Sequence, residues 1–126
     1  MIKFVFCLRR LPHLSRAEFL DYWLNKHGPL AVGFKKALGM RKYIQLHTMS
    51  TPFDQGLLES RGGPQPYDGM VEAWWDSLDA VQRALEDPEA QVAWAALMED
   101  ELRFIDVSNS PLWFAEEHLM VADSDD

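Results

Sequence analysis

The sequence predicts an α+β fold in which a four-stranded antiparallel sheet carries its helices on one face. Three observations predict it: segments that alternate like strands, segments with apolar residues at helical spacing, and their order along the chain, which is β-α-β-β-α-β. The chain has 126 residues, of which 48% are apolar, enough for one domain and too few for two ordinary ones. We therefore expect one ferredoxin-like domain over residues 1–121 and an acidic tail over residues 122–126.

Four segments have the composition and alternation of β-strands. They are rich in β-branched and aromatic residues, and Gly or Pro lies near their ends. The stretch 50–66 contains two glycines in tandem and three prolines, so we predict a long loop there. The four predicted strands cover residues 2–9, 40–49, 67–75 and 112–121.

The first helix begins after Ser15. Ser15 and Glu18 have the spacing of a capping box, in which each side chain accepts a hydrogen bond from the backbone amide of the other residue. One stripe of this helix then contains Phe19, Trp23 and His27 at i, i+4 and i+8. We expect the helix to stop at His27-Gly28-Pro29, because glycine can adopt a positive φ and proline cannot continue the hydrogen-bond ladder. A second helical piece is predicted over residues 30–37.

Two further helices are predicted between the third and fourth strands. Ser77 caps the first, and Pro88 suits the first turn of the second, which continues to about residue 104. The residues expected to face inward are Leu78, Val81 and Leu85 in the first helix, and Val92, Trp94, Leu97, Met98 and Leu102 in the second.

The predicted sheet carries apolar side chains on both faces, although its helices cover only one. A monomer rarely leaves that much apolar surface in water. Pairing two sheets face to face would bury both uncovered faces, so we expect a two-fold homodimer.

Composition and charge exclude several partners. The formal net charge is −8, and the basic residues are scattered, so the chain lacks the basic face that nucleic acid requires. No apolar run approaches the ~18 residues of a membrane helix, so we expect no membrane partner. The start, MIKFVFCLRR, lacks the pattern of a secretory signal.

The lone cysteine, Cys7, excludes an internal disulfide and fits a reducing compartment, which favours a cytoplasmic location. Its place in the first strand predicts a small core residue rather than a reactive thiol.

Three segments carry a resemblance to a known family: FLDYWLNKHGP at 19–29, YDGMVEAWW at 67–75 and SPLWFAEEH at 110–118. They resemble the EthD family, which belongs to the dimeric α/β-barrel superfamily. The resemblance implies a homodimer with an apolar pocket between sheet and helices. The superfamily also contains cofactor-free monooxygenases, polyketide cyclases, lactone isomerases, haem-degrading enzymes and aldoxime dehydratases, so the resemblance implies no particular substrate.

His27 and His118 are the candidate catalytic residues. His27 shares the stripe of Phe19 and Trp23, so it should face the sheet, and it matches the His-Gly-Pro motif of the family that the chain resembles. The alternative is a helix-terminal histidine that donates to a backbone carbonyl. Strand parity gives His118 the face of Leu112, so it could meet His27 in one pocket as an acid/base pair. The alternative is a satisfied core or interface histidine.

The candidate substrate-binding residues are aromatic or polar side chains that could line this pocket. A tyrosine hydroxyl could orient a ligand carbonyl, and His47 alternates with Tyr43 and Gln45 to form a polar row at the pocket or at the dimer seam. Trp74 and Trp75 point to opposite faces, so one should line the pocket and the other the dimer core. Trp94 and Trp113 are expected in the core. Trp23 could also belong to the core, or it could form part of the pocket wall. The assigned residues are Tyr22, Trp23, Tyr43, His47 and Trp74.

The chemistry expected of this pocket is cofactor-independent. The four histidines match no metal-ligand spacing, and the sequence contains no nucleophile elbow, phosphate loop or dinucleotide fingerprint. A haem held by one histidine is possible in principle, but nothing favours it. We expect either an enzyme or a non-catalytic metabolite-binding or accessory protein with the same pocket. The enzyme would act on a hydrophobic, aromatic or oxygenated metabolite by proton transfer or by oxygen insertion. A purely structural dimer is the third reading.

Overall fold

The computed structural model describes residues 1–123. Its strands are β1 Ile2–Leu8, β2 Lys42–His47, β3 Gly69–Trp75 and β4 Leu112–Glu116. Its α-helices are α1 Arg16–Tyr22, α2 Gly28–Gly33, α3 Lys35–Leu38, α4 Asp54–Arg61, α5 Leu78–Glu86 and α6 Pro88–Glu101, and a π-helical segment, Trp23–His27, joins α1 to α2. Of the predicted acidic tail, residues 124–126 lie outside the described residues.

The four strands form one antiparallel sheet in the order β2-β3-β1-β4. At its centre, Phe4 of β1 lies opposite Ala73 of β3 and Phe114 of β4. This order is the ferredoxin-like arrangement, so the predicted fold class is confirmed. The last strand ends at Glu116, earlier than the predicted end at residue 121.

The helices pack against one face of the sheet. Phe19 and Trp23 are fully buried there, together with Phe104, which lies just after α6. A second buried cluster surrounds Trp75, whose indole Nε1 donates to the carbonyl of Leu38 over 2.8 Å. A cavity remains between these two clusters.

The first helix was predicted to stop at His27, and this prediction was wrong. The helix continues through the π-helical segment into α2, and Gly28 has right-handed helical angles, with φ −56° and ψ −51°. The Gly28 amide donates to the Trp23 carbonyl, five residues back. Pro29 follows in the first turn of α2, where a missing amide proton costs little. Position 28 is crowded, because an added Cβ would lie 2.9 Å from Gln45 Nε2 and 3.1 Å from the Trp23 carbonyl oxygen.

The predicted loop over residues 50–66 contains a helix, α4, which was missed. Thr51 starts it locally: its hydroxyl donates to Asp54 Oδ1 over 2.6 Å, and its amide donates to Asp54 Oδ2 over 3.0 Å. The helix ends at Gly62, where φ is +61°. No residue of α4 is buried, so the pattern of buried residues that predicts other helices is absent here.

The predicted inward faces of α5 and α6 were partly wrong. In α5, Val81 and Ala84 are buried, whereas Leu78 and Leu85 are exposed. In α6 the predicted inward residue Val92 is exposed, and the buried stripe consists of Ala90, Ala93, Leu97 and Asp100. Four of the predicted residues do line the cavity, although Met98 and Leu102 stay largely exposed there: Trp94, Leu97, Met98 and, just after the helix, Leu102. Small alanines allow α6 to approach its neighbours closely, and this shifts the larger side chains to the edges of the interface.

Within residues 1–123, no helix packs on the opposite face of the sheet. Cys7 is buried there, as predicted, and burial raises the pKa of its thiol. Trp74 is also buried, under the ammonium groups of Lys3 and Lys42, which lie 4.5 and 4.8 Å from its ring centre. Trp113 is 46% exposed, so its predicted core position was wrong. Among the described residues, no helix is long and apolar enough to cross a membrane.

Candidate active site

The cavity between the sheet and the helices has a volume of about 550 Å³. Its walls are overwhelmingly apolar, and the polar side chains that reach it are few. The polar or ionisable residues on its wall are His27, Tyr43, Glu99, Glu101 and Ser110. The aromatic part of the wall comprises Phe4, Phe6, Trp23, Trp75 and Trp94.

His27 lies at the cavity wall because the π-helical segment carries the stripe of Trp23 one turn further. It is buried, with 7% of its surface exposed, and its ring contacts Phe104. Its Nδ1 lies 2.8 Å from Asp100 Oδ2 on α6. Burial lowers the pKa of His27, and the Asp100 carboxylate offsets this only in part, so the imidazole is neutral at neutral pH.

The bond to Asp100 decides which nitrogen of His27 is basic. A carboxylate can only accept, so Nδ1 carries the proton and donates it to Asp100. The second nitrogen, Nε2, then keeps its lone pair. His27 lines the cavity, so this lone pair is the basic group that the histidine offers to a ligand.

Asp100 is held by three side chains. Tyr22 donates to Oδ1 over 2.6 Å, Arg103 donates to the same oxygen over 3.1 Å, and His27 donates to Oδ2. Burial acts to raise the pKa of Asp100, but the hydrogen bonds from Tyr22 and His27 outweigh it and keep that pKa below its usual value. Asp100 is therefore an anion that orients His27. It was missed because it lies in the acidic run Glu99-Asp100-Glu101, which suggests a solvated surface.

Glu101 was also missed. Its side chain lines the apolar cavity, and burial, with a smaller effect of the Asp100 charge, raises its pKa to about 7. No side chain among residues 1–123 makes a hydrogen bond to its carboxyl group. Glu101 therefore exists in both protonation states near neutral pH, so it can give or accept a proton in the cavity.

A row of polar side chains on β2 borders the same cavity. Gln45 Nε2 donates to the Tyr43 hydroxyl over 2.9 Å and to the Trp23 carbonyl over 3.1 Å. His47 Nε2 lies 2.7 Å from Gln45 Oε1, and the His47 ring stacks on Trp23. Only Tyr43 of this row lines the cavity, and His47 lies behind Trp23.

Five of the seven predicted site residues surround one part of the cavity. His27, Trp23 and Tyr43 form its wall, and the other two lie behind them. Tyr22 contacts Asp100 rather than a ligand, and His47 contacts Gln45.

Trp74 and His118 do not join this group. Trp74 faces the other side of the sheet, where its Nε1 donates to Glu117 over 2.7 Å, and Trp75 is the member of the pair that lines the cavity. His118 follows the end of β4, and its side chain is 76% exposed. Because the strand stops at Glu116, strand parity does not extend to His118. The expected pair of His27 and His118 does not form within the chain.

Metal ligands are not grouped in the part of the chain that the structure describes: no three His, Cys, Asp or Glu side chains are placed to hold an ion.

A family model for the EthD domain matches residues 11–108, which is most of the chain. The chain belongs to the EthD family. The resemblance seen in the segments at 19–29 and 67–75 is therefore confirmed at the level of the family, whereas the segment at 110–118 lies outside the matched residues. No curated protein matches this EthD sequence.

Solved structures similar to this EthD chain share its fold. An EthD family protein from Bacillus halodurans is 21% identical, with a TM-score of 0.61 over 94% of this chain and 100% of that one. A dimeric ferredoxin-like protein of unknown function from Bacteroides fragilis is 13% identical, with a TM-score of 0.60 over 92% and 95%. SnoaB from Streptomyces nogalater, described as a cofactor-independent oxygenase, is 17% identical, with a TM-score of 0.56 over 97% of each chain.

Proposed function

We propose that this EthD chain is a cofactor-independent enzyme that removes a proton from a small hydrophobic metabolite carrying an oxygen function. The observation that carries the proposal is the 2.8 Å bond between His27 Nδ1 and Asp100 Oδ2 at the wall of an apolar cavity. A neutral imidazole held in one tautomer by a buried carboxylate is the arrangement expected of a general base.

The reaction would begin with proton transfer to His27 Nε2. The imidazolium that forms is stabilised by the Asp100 carboxylate, which is already ionised. The apolar walls lower the local polarity and so strengthen this charge interaction. A positioned base of this kind contributes roughly 10²–10⁴-fold to the rate.

Glu101 supplies the second proton site that an isomerisation, cyclisation or dehydration needs. Its carboxyl group lines the same cavity, and its pKa of about 7 leaves it partly protonated at neutral pH. We assign it the return of the proton at a second atom of the ligand. It takes the role that was expected of His118.

We also propose that the active form is a homodimer formed through the uncovered face of the sheet. Leu46 is 43% exposed and Trp113 is 46% exposed on that face, around the buried Trp74. The similar protein from Bacteroides fragilis is described as dimeric. Pairing two such faces would remove the exposed apolar surface from water.

Two other functions have support. Oxygen insertion is supported by the similarity to SnoaB, described as a cofactor-independent oxygenase, and it would use the same apolar cavity. Non-catalytic metabolite binding is supported by the wall itself, in which polar side chains are a small minority.

Native mass spectrometry of the purified protein tests the proposal first, because it measures the subunit count and identifies a co-purified metabolite. That metabolite is then incubated with the wild type and with His27→Gln and Asp100→Asn. We expect His27→Gln to bind it, as a ligand-induced rise in melting temperature, but to lose turnover. Turnover that survives in His27→Gln would exclude His27 as the base. Binding without turnover by the wild type would favour the non-catalytic function.

A further inference from the structure

The orientation of the Gln45 amide is determined by a partner that can only accept. Gln45 Nε2 lies 3.1 Å from the backbone carbonyl oxygen of Trp23. A carbonyl oxygen has no proton to donate, so the group facing it must be the amide NH₂. Gln45 Oε1 therefore faces His47, and His47 Nε2, at 2.7 Å, must carry the proton of that bond.

The same amide constrains the direction of the Tyr43 hydroxyl proton. Gln45 donates its other N–H to the Tyr43 oxygen over 2.9 Å. A phenolic O–H lies in the plane of its ring and has two orientations, and this N–H blocks the one that points at Gln45. Within residues 1–123, no side chain or carbonyl accepts the Tyr43 proton. Because Tyr43 lines the cavity, its hydroxyl is left as a hydrogen-bond donor to a ligand.

The Tyr43 donor and the His27 acceptor belong to one corner of the cavity. Gly28, which follows His27, packs so closely on Gln45 that a Cβ added there would lie 2.9 Å from Nε2. The charge of Glu101 is close enough to raise the pKa of Tyr43, although burial is the larger cause. A ligand in this corner meets a donor, an acceptor and apolar walls.

We propose that Gln45 is a positioning residue that holds Tyr43 as a donor, and that the cavity therefore selects a neutral enolisable ketone. Such a ligand presents a carbonyl oxygen, which needs a donor, beside an acidic C–H bond, which needs a base. The proposal deepens the proposed function and rests on His27 as that base.

The step conserves atoms and electrons. The C–H bond next to the carbonyl breaks, its proton goes to His27 Nε2, and its electron pair forms the carbon–carbon double bond of an enolate. The carbonyl π pair moves onto oxygen, where the Tyr43 O–H stabilises the new charge. Returning the proton to the other end of the enolate, or elsewhere in the ligand, completes an isomerisation with no external reductant or oxidant.

A carboxylic acid is the wrong ligand for this corner. Asp100 is ionised, and burial in the apolar wall, more than the Asp100 charge, raises the pKa of Glu101, so a ligand carboxylate would lose its hydration there without gaining a cationic partner from these residues. A pure hydrocarbon would leave the Tyr43 proton buried without an acceptor, which is costly. A ketone avoids both costs.

The test compares two probes of nearly the same shape, 2-tetralone and tetralin, of which only the first has a carbonyl. Their dissociation constants are measured by calorimetry with the wild type, Tyr43→Phe and Gln45→Glu. We expect the wild type to bind the ketone about tenfold more tightly than the hydrocarbon, since one hydrogen bond contributes about that factor. Tyr43→Phe should remove this preference. Gln45→Glu should also remove it, because a carboxylate at position 45 accepts the Tyr43 proton.

The readout is the ratio of the two affinities, which a loss of packing alone would leave unchanged. Tyr67→Phe, a tyrosine outside the cavity, and Gln91→Glu, which adds the same charge on exposed α6 surface, are the matched controls and should keep the ratio. A ratio near one in the wild type, or a full ratio in Gln45→Glu, would overturn the proposal. Loss of turnover in His27→Gln with no effect of Tyr43→Phe would overturn this inference and leave the proposed function standing.

Discussion

Asp100 and Glu101 are neighbours on α6, and their surroundings give the two carboxyl groups different charge states. Asp100 receives hydrogen bonds from Tyr22, His27 and Arg103, which keep it ionised against the effect of burial. Glu101 faces apolar walls without such donors, and its pKa rises to about 7. One helix thus supplies a fixed anion behind His27 and a proton carrier in the cavity, which is the separation of roles that acid/base catalysis requires.

Glu101 should cost stability above neutral pH. Below about pH 4.5 it is protonated in both the folded and the unfolded chain, so it has no effect. As the pH rises to about 7 the unfolded chain ionises first, and the folded state loses at most about 3 kcal/mol relative to low pH. We therefore expect Glu101→Gln to raise the free energy of unfolding at pH 8 and to have little effect at pH 4.

Urea unfolding at the two pH values measures this difference. Glu86→Gln, on the exposed surface of α5, is the control. It should change the free energy of unfolding by the same small amount at both pH values. An equal effect of Glu101→Gln at pH 4 and pH 8 would mean that the carboxyl group is not buried in the cavity.

The residues found by sequence reasoning are those whose signal is local. His27 was placed correctly because helical spacing links it to Phe19 and Trp23. Asp100 was missed because the inward face of α6 was assigned to its largest apolar residues, and packing chose the alanine stripe instead. The orientation of Gln45 depends on a carbonyl of another element, so no pattern along the chain could reveal it.

At the scale of elements, the π-helical segment connects the fold to the site. Through this segment the helical stretch continues past Pro29 without a break. The Trp23 carbonyl accepts hydrogen bonds from both the Gly28 amide and the Gln45 side chain. π-Bulges are often found at functional sites. The element order could be predicted because alternation, capping residues and prolines are signals within each element. The π-helical segment could not, because His-Gly-Pro has the usual features of a helix end.

Gly28→Ala tests this element. The new methyl group would lie 2.9 Å from Gln45 Nε2 and 3.1 Å from the Trp23 carbonyl oxygen, and Gln45 can move away only by losing its hydrogen bonds. We expect a loss of about 1–3 kcal/mol of unfolding free energy, measured by chemical denaturation.

Gly33→Ala is the matched control, because a Cβ at Gly33 of α2 would meet nothing within 4 Å. Alanine has the higher helix propensity, so this variant should be neutral or slightly more stable. A Gly28→Ala protein as stable as Gly33→Ala would contradict the close contact between the π-helical segment and β2.

At the scale of the whole molecule, the two faces of the sheet differ in what they contact. One face, together with the helices packed on it, forms the walls of the cavity. The other carries Leu46 and Trp113, both more than 40% exposed, where a second copy of the chain would cover them. The fold and the family could be predicted from the sequence. The residues of a dimer interface could not, because which side chains stay exposed on the sheet is determined only when the chain folds.

We expect the wild type to sediment at twice its chain mass of 14.5 kDa. The double variant Leu46→Glu, Trp113→Glu should sediment as a monomer, because a paired interface would bury its added charges without partners. Leu85→Glu, at an exposed leucine of α5, is the control and should remain dimeric. A monomeric wild type, or a double variant that stays dimeric, would contradict the proposed interface.

The most direct test of the central claim is the rate of deuterium exchange at C1 of 2-tetralone, followed by NMR in D₂O. The wild type should accelerate exchange about a hundredfold or more over buffer, within the range of a positioned general base. His27→Gln should return the rate to that of buffer while 2-tetralone still binds, and Asp100→Asn should give an intermediate rate. Exchange at the wild-type rate in His27→Gln, or no acceleration by a wild type that binds the ketone, would contradict His27 as the base of this cavity.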